Sequence, residues 1–181
     1  MRRETTMADT LYPNHQIDTT SDPYLEHLLT FIQMNAEMER GFGPATALLQ
    51  HAKTFEPADT NPSWFTLGPA KQCFDNVTRI VIERLDAGDT SIHYAEGYAM
   101  DELGIPMQHA WLVDADGKVI DPTWRDVADN LYFGVVFETD FVINLLRNKK
   151  SAGILVDVAG MRRHYGTPEL FEQGIFRNVA P

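Results

Sequence analysis

The segment Asp114-Ala115-Asp116-Gly117-Lys118 does more than any other to limit how this chain folds. It separates two apolar runs, Met107 to Val113 and Val119 to Asp121, and its Asp and Gly residues are the kind that a tight turn between antiparallel strands requires. Loop length decides which residues then face each other. With Ala115, Asp116 and Gly117 as a three-residue loop and Gly117 left-handed, Asp114 opposes Lys118 and Trp111 opposes Asp121, leaving His109 diagonal to Asp121 on one face. With a two-residue turn at Asp116 and Gly117, Leu112 opposes Asp121 and the two polar side chains fall on opposite faces. In the longer loop a diagonal of ~7–8 Å between backbones lets an imidazole and a carboxylate meet in a hydrogen bond. Pro122 supports this by biasing Asp121 toward an extended conformation.

The remaining pattern places helices around such a hairpin. Residues 1–20 mix Thr, Asp, Asn and Pro without periodicity and read as an irregular arm. Ser21 or Asp22 then caps a helix with Pro23 in its first turn and Leu25, Leu28, Leu29 and Ile32 at helical spacing, stopped by Gly41. A shorter helix runs from Pro44 to Ala52, and a loop rich in Pro follows to about Pro69. From Cys73 the residues Phe74, Val77, Ile80, Val81 and Leu85 form an apolar helical stripe ending at Ala87 and Gly88. Strand-like runs follow at Ile92 to Met100, Met107 to Val113, Val119 to Asp121 and Tyr132 to Phe137, with an edge strand at Ile154 to Val158. Thr139 or Asp140 caps a further helix whose last turn carries Arg147, Lys149 and Lys150, signs that suit the helix dipole. The expectation is an α+β protein: an arm over 1–20 and one domain over 21–181, with an antiparallel sheet and flanking N-terminal helices.

Cys73 is the only cysteine, which excludes an internal disulfide and any thiolate-rich zinc site. It is either a small buried hydrophobe or a reactive thiol. At the first turn of a helix, unsatisfied amide donors and the positive end of the dipole favour the thiolate. On the longer hairpin loop, Asp121 fixes the tautomer of His109, and the other ring nitrogen faces the helix start that bears Cys73. A nucleophile, a base and an orienting acid then lie in line.

Gln72-Cys73-Phe74, Tyr94-Ala95-Glu96-Gly97-Tyr98-Ala99, His109-Ala110-Trp111-Leu112-Val113 and Val119-Ile120-Asp121-Pro122-Thr123-Trp124 together resemble the transglutaminase-like branch of the papain-like cysteine enzymes. The likeness spans about residues 64–137. It implies a papain-like core in which a helix opened by the cysteine packs on an antiparallel sheet, with Cys73 as nucleophile, His109 as general base and acid, and Asp121 as orienter. Two positions depart from the pattern. Leu67 stands six residues before the cysteine, where no papain-type oxyanion glutamine is found, and Phe74 follows it where transglutaminases proper carry tryptophan. The backbone N–H of Cys73 and the side chain of Gln72, Trp64 or Gln108 are the candidate oxyanion donors, Gln72 first. Glu96, between Tyr94 and Tyr98 on one strand face, is either a solvated acid or a substrate-binding group. Trp124 and Asn76 are either walls of the site or structural residues.

The function expected is cysteine-dependent acyl transfer at an amide or ester through a thioester. Water as acceptor gives a thiol protease, peptidase or deamidase; an amine gives a transglutaminase or acyltransferase. The substrate would be a peptide, a protein or a small amide, and no cofactor or metal is called for. One alternative is a non-catalytic binding protein that keeps the fold, and another is a single metal ion held by Cys73, His109 and Asp121. With a net charge of −11 and scattered basic residues, nucleic acid is not an expected partner. No apolar run approaches the ~18 residues of a membrane span, and the first residues lack a secretory pattern, so the expected address is cytoplasmic.

Overall fold

The computed structural model describes residues 22–149 and 153–178; the arm expected over 1–20, a cap at Ser21 and Lys150 lie outside them. Helix α1 spans Pro23–Met38. Asp22 caps it, its Oδ1 accepting from Tyr24 N at 2.8 Å and Leu25 N at 3.4 Å, and Leu25, Leu28 and Ile32 face the core. It stops short of Gly41 because Glu39 is extended, with its carboxylate instead accepting from the backbone N–H of Ala45 and Thr46 at the start of α2 (Pro44–His51). One side chain thus ends the first helix and caps the second.

A short strand, β1 (Lys53–Phe55), follows directly; it has too few residues to show periodicity. The loop after it leads to α3 (Cys73–Asp86), which ends at Ala87 with Gly88 left-handed at φ +80°. Val77, Ile80 and Val81 of α3 are buried, about 1.5–3 kcal/mol each of apolar transfer. Then come β2 (His93–Met100), β3 (Met107–Val113), β4 (Val119–Ile120), β5 (Leu131–Phe137), α4 (Thr139–Lys149), α5 (Val158–His164) and α6 (Pro168–Glu172). Among the described residues there are six helices and one antiparallel sheet in the order β1-β5-β2-β3-β4. None of these helices is long and apolar enough to cross a membrane.

The sheet curls until its two edges meet. Val119 N donates to Glu56 O at 2.8 Å and Ala58 N to Val119 O at 2.9 Å, so the chain leaving β1 pairs with β4. Such closure leaves short edges only. Inside the curl lie Phe55, Ala95, Ala99, Trp111, Val113, Val119, Tyr132 and Val136. Tyr94, Ala110, Leu112, Phe133, Val135 and Phe137 alternate to the outer face and join the larger core under the helices. Gly97 and Gly134 pair with each other on the inner face, and a Cβ on Gly97 would strike the carbonyl of Phe133. No side chain fits at that crossing.

The edge strand expected at Ile154 to Val158 does not form. Residues 154–156 are bends, and α5 starts at Val158. Their apolar composition mimics a strand, yet the amides of Ile154, Leu155 and Val156 all donate to the Glu96 carboxylate, which leaves no ladder for them to join.

Candidate active site

The turn after β3 sets the geometry. Val113 pairs with Val119 and Leu112 with Ile120, the register that the three-residue loop demands. Gly117 sits at φ +78°, where a side chain is disfavoured, and Asp114 N donates to Lys118 O at 3.0 Å. Asp114 Oδ1 also accepts from Asp116 N and Lys118 N, closing the turn from within. Continued one step, this register puts Asp121 opposite Trp111, with His109 diagonal to it. His109 Nε2 lies 2.7 Å from Asp121 Oδ2, and both side chains are buried. A carboxylate only accepts, so the imidazole donates.

Asp121 has no acceptor left over. Oδ2 also accepts from the Tyr132 hydroxyl at 2.8 Å, while Oδ1 accepts from the backbone N–H of Thr123 at 2.8 Å and Trp124 at 3.2 Å. Tyr132 reaches it from the inner face of β5, where Gly134, two residues on, carries no side chain. The sequence placed Tyr132 on a strand without assigning it a partner. Its parity with Gly134 and Val136 was the available sign that it pointed into the curl.

Cys73 opens α3 from the other side of the ring. Gln72 holds the N-cap position without a side-chain cap bond, so it closes off none of the amides that start the helix. Before it, Lys71 is left-handed at φ +65°, a conformation costing about 1 kcal/mol or more for a residue with a side chain. The lead-in is tied to the hairpin: Gly68 N donates to Pro122 O at 2.7 Å, and Asn76 Nδ2 donates to Pro69 O at 2.9 Å and Thr123 Oγ1 at 3.0 Å. Asn76 fills the space where Gly68 would carry a Cβ. Helix α3 and the loop that bears Asp121 are therefore fixed to each other through buried polar atoms. Cys73 is 8% exposed and stands near enough to His109 to help raise the pKa of its ring. With Nε2 engaged by Asp121, Nδ1 is the nitrogen left for the sulfur.

Burial pushes the His109 imidazole toward its neutral form, but hydrogen bonds to Asp121 and Cys73 outweigh it and raise its pKa to about 9. The ring is further fixed by aromatic neighbours: Trp124 stacks on it at 4.4 Å and 23°, and Trp111 lies beyond at 6.3 Å. Burial and the Asp121 charge both push the Tyr132 phenol up, so it stays a donor.

The other candidates divide. Trp124 is at the site, as a cover over His109. Gln72 is adjacent to Cys73 and exposed. Gln108 pairs with Tyr98 across β2 and β3. Trp64 lies over the Arg84 guanidinium at 5.0 Å, about three helical turns along α3 from Cys73, too far to donate there. Glu96 is buried at 1% exposure, against the half-solvated surroundings expected of it. Its Oε1 accepts from Leu155 N and Val156 N, and its Oε2 from Ile154 N and the Tyr94 hydroxyl, at 2.6–2.9 Å. Burial raises its pKa, with these four bonds opposing. Asn76 is structural, and Thr123, its partner, was not singled out from the sequence.

Among the described residues no three His, Cys, Asp or Glu side chains group so as to hold a metal ion, and the lone pairs of Asp121 are already taken. A cavity of about 350 Å³ lies elsewhere, lined by His51, Lys53, Phe55, Gly134, Val136 and Phe176 among others. No protein-family model, curated protein or solved structure matches the chain.

Proposed function

We propose that this chain is a cysteine-dependent acyl-transfer enzyme of the transglutaminase-like, papain-like kind, acting on an amide or ester of a peptide, a protein or a small molecule. The observation that carries this reading is a buried imidazole held at 2.7 Å by Asp121, with Cys73 near enough to the same ring to help raise its pKa. The helix-on-antiparallel-sheet arrangement, with cysteine at the helix start and histidine and aspartate from one hairpin, supports the family assignment.

In the reaction, the His109 imidazolium beside Cys73 favours the thiolate, which attacks the substrate carbonyl carbon. The carbonyl electrons move to oxygen, and the uncapped amides at the start of α3 stand nearest to receive that charge. As the C–N or C–O bond breaks, the proton on His109 Nδ1 goes to the departing amine or alcohol, leaving a thioester on Cys73. Water or an amine then attacks the thioester, gives its proton to the now neutral His109 and releases the sulfur as thiolate. Asp121 keeps Nε2 protonated throughout, and Tyr132 keeps Asp121 in place.

An electrophilic peptide and glutamine-amide probe panel tests this. Wild-type protein is expected to label at Cys73, with labelling abolished in Cys73→Ala and reduced by about 10²-fold or more in His109→Ala. Labelling at full rate in His109→Ala would remove the base from the mechanism.

A further inference from the structure

The reaction leaves the buried carboxylate of Glu96 without a part. Glu96 binds three consecutive backbone amides, Ile154 at 2.6 Å, Leu155 at 2.7 Å and Val156 at 2.8 Å, an internal anion receptor for a side chain 58 residues away from its nearest donor. It takes the Tyr94 hydroxyl as well, at 2.9 Å. Both partners reach toward the nucleophile. Tyr94 lies within electrostatic range of Cys73 and Asp75 on the first turn of α3, the titratable groups that face this corner from the helix. A Cβ on Gly153, which opens the bound segment, would stand 3.5 Å from the ring of Phe74, the neighbour of Cys73. On the opposite side, Asn76 already ties the same helical turn to Thr123. The first turn of α3 is thus held from two directions.

We propose that Glu96 is a positioning residue for the nucleophile: the Tyr94 hydroxyl and the 154–156 backbone that it fixes brace the first turn of α3, so that the Cys73 thiol is turned toward His109. This rests on Cys73 and His109 acting together as described above. Glu96 touches no reacting atom and acts only through the groups it binds. A carboxylate serves here because one planar group accepts from three amides at once. Gln at this position offers a single oxygen, enough for Leu155 and Val156, and leaves Ile154 N–H and Tyr94 facing an amide nitrogen.

The test is the rate of Cys73 alkylation by iodoacetamide in the full chain at pH 6 and pH 9, for wild type, Glu96→Gln, His109→Ala and the double variant, with a thermal melt to show that each is folded. Glu96→Gln is expected to slow alkylation about tenfold at pH 6 and little at pH 9, and to add nothing in the His109→Ala background, because both changes uncouple the same pair. A purely structural role would lower the melting temperature and leave the ratio of the two rates at the wild-type value, and that result overturns the proposal. So does an equal slowing by Glu96→Gln with and without His109. If His109→Ala alone alkylates like wild type at pH 6, the Cys73 and His109 pair itself fails, and the positioning role falls with it. Should Glu96→Gln not fold, Tyr94→Phe replaces it: about threefold slowing at pH 6 that vanishes without His109 is expected, and an unchanged rate overturns the proposal.

Discussion

Glu96 and Asp121 lie on either side of β3 and on opposite faces of the sheet, and each is a buried carboxylate with four hydrogen bonds, one of them from a tyrosine hydroxyl. For Glu96 the other three donors are backbone amides; for Asp121 two are amides and the third is an imidazole. An amide holds its proton at every accessible pH, whereas an imidazole exchanges one near neutrality. Equal burial and equal satisfaction therefore give an anchor in one place and a proton-handling line in the other. What separates them is the chemistry of one donor.

Truncation breaks this comparison hardest. Glu96→Ala strands three amides and a hydroxyl in the core at about 1–3 kcal/mol each, so urea unfolding should show a loss of about 5 kcal/mol after relaxation, or no folded protein at all. Asp121→Ala, which strands the His109 charge, should lose about 3–5 kcal/mol. Asp121→Ala proving much the costlier would mean that the ion pair outranks the amide receptor.

pH separates the two next. The His109 pKa is raised from 6.5 to about 9 in the folded chain. Its contribution, about 3 kcal/mol, is therefore fully present below pH 6.5 and lost as pH rises through 9. Glu96 is raised as well, from 4.5, so it too favours the fold on the acid side of its titration, in a window that begins two units lower. Melting temperature against pH should fall in two stages, with His109→Ala erasing the alkaline stage and Glu96→Gln the acid one. A single stage that survives His109→Ala would remove the imidazolium from the folded state.

Deleting one hydroxyl at a time sharpens the contrast. Tyr94→Phe and Tyr132→Phe each lose a bond to a charged group and should cost about 1.5–3 kcal/mol in urea. Only Tyr132→Phe should move the alkaline stage, because only its hydroxyl shares an oxygen with His109. Smallest is Gly117→Ala, about 1 kcal/mol for forcing a side chain to φ +78°. It should weaken the Asp121 arm and leave Glu96 untouched, read as a lowered melting temperature with an unchanged acid stage.

The two carboxylates were also unequally legible in the sequence. Asp121 and His109 are joined by a local rule: turn composition sets loop length, loop length sets register, and register sets which side chains share a face. α3, its first residue and strands β2 to β5 follow from similar short-range patterns. The surroundings of Glu96 had no such rule. Its donors lie 58 to 60 residues on, in a stretch whose Ile, Leu and Val residues imitate a strand, and recognition by backbone N–H leaves no trace in side-chain identity. β1 is too short to show alternation, and α5 and α6 have too few turns for a stripe. Trp124 was weighed as a wall and stacks on His109, whereas Tyr132 needed the curl of the sheet to be known before its hydroxyl could be aimed.

The bond from Gly68 to Pro122 joins the approach to Cys73 to a loop made much later in the chain. During synthesis Cys73 emerges first, and His109 and Asp121 are both present only after the next 48 residues, Phe74 through Asp121, are added. At ~5–20 residues per second that interval is roughly 2–10 s. Throughout it, the lead-in loop lacks the Pro122 carbonyl that Gly68 binds in the folded chain. On the function proposed above, reactivity would thus be withheld by the order in which the ribosome delivers the parts, and a nascent or truncated chain ending before Asp121 would carry Cys73 without its partners.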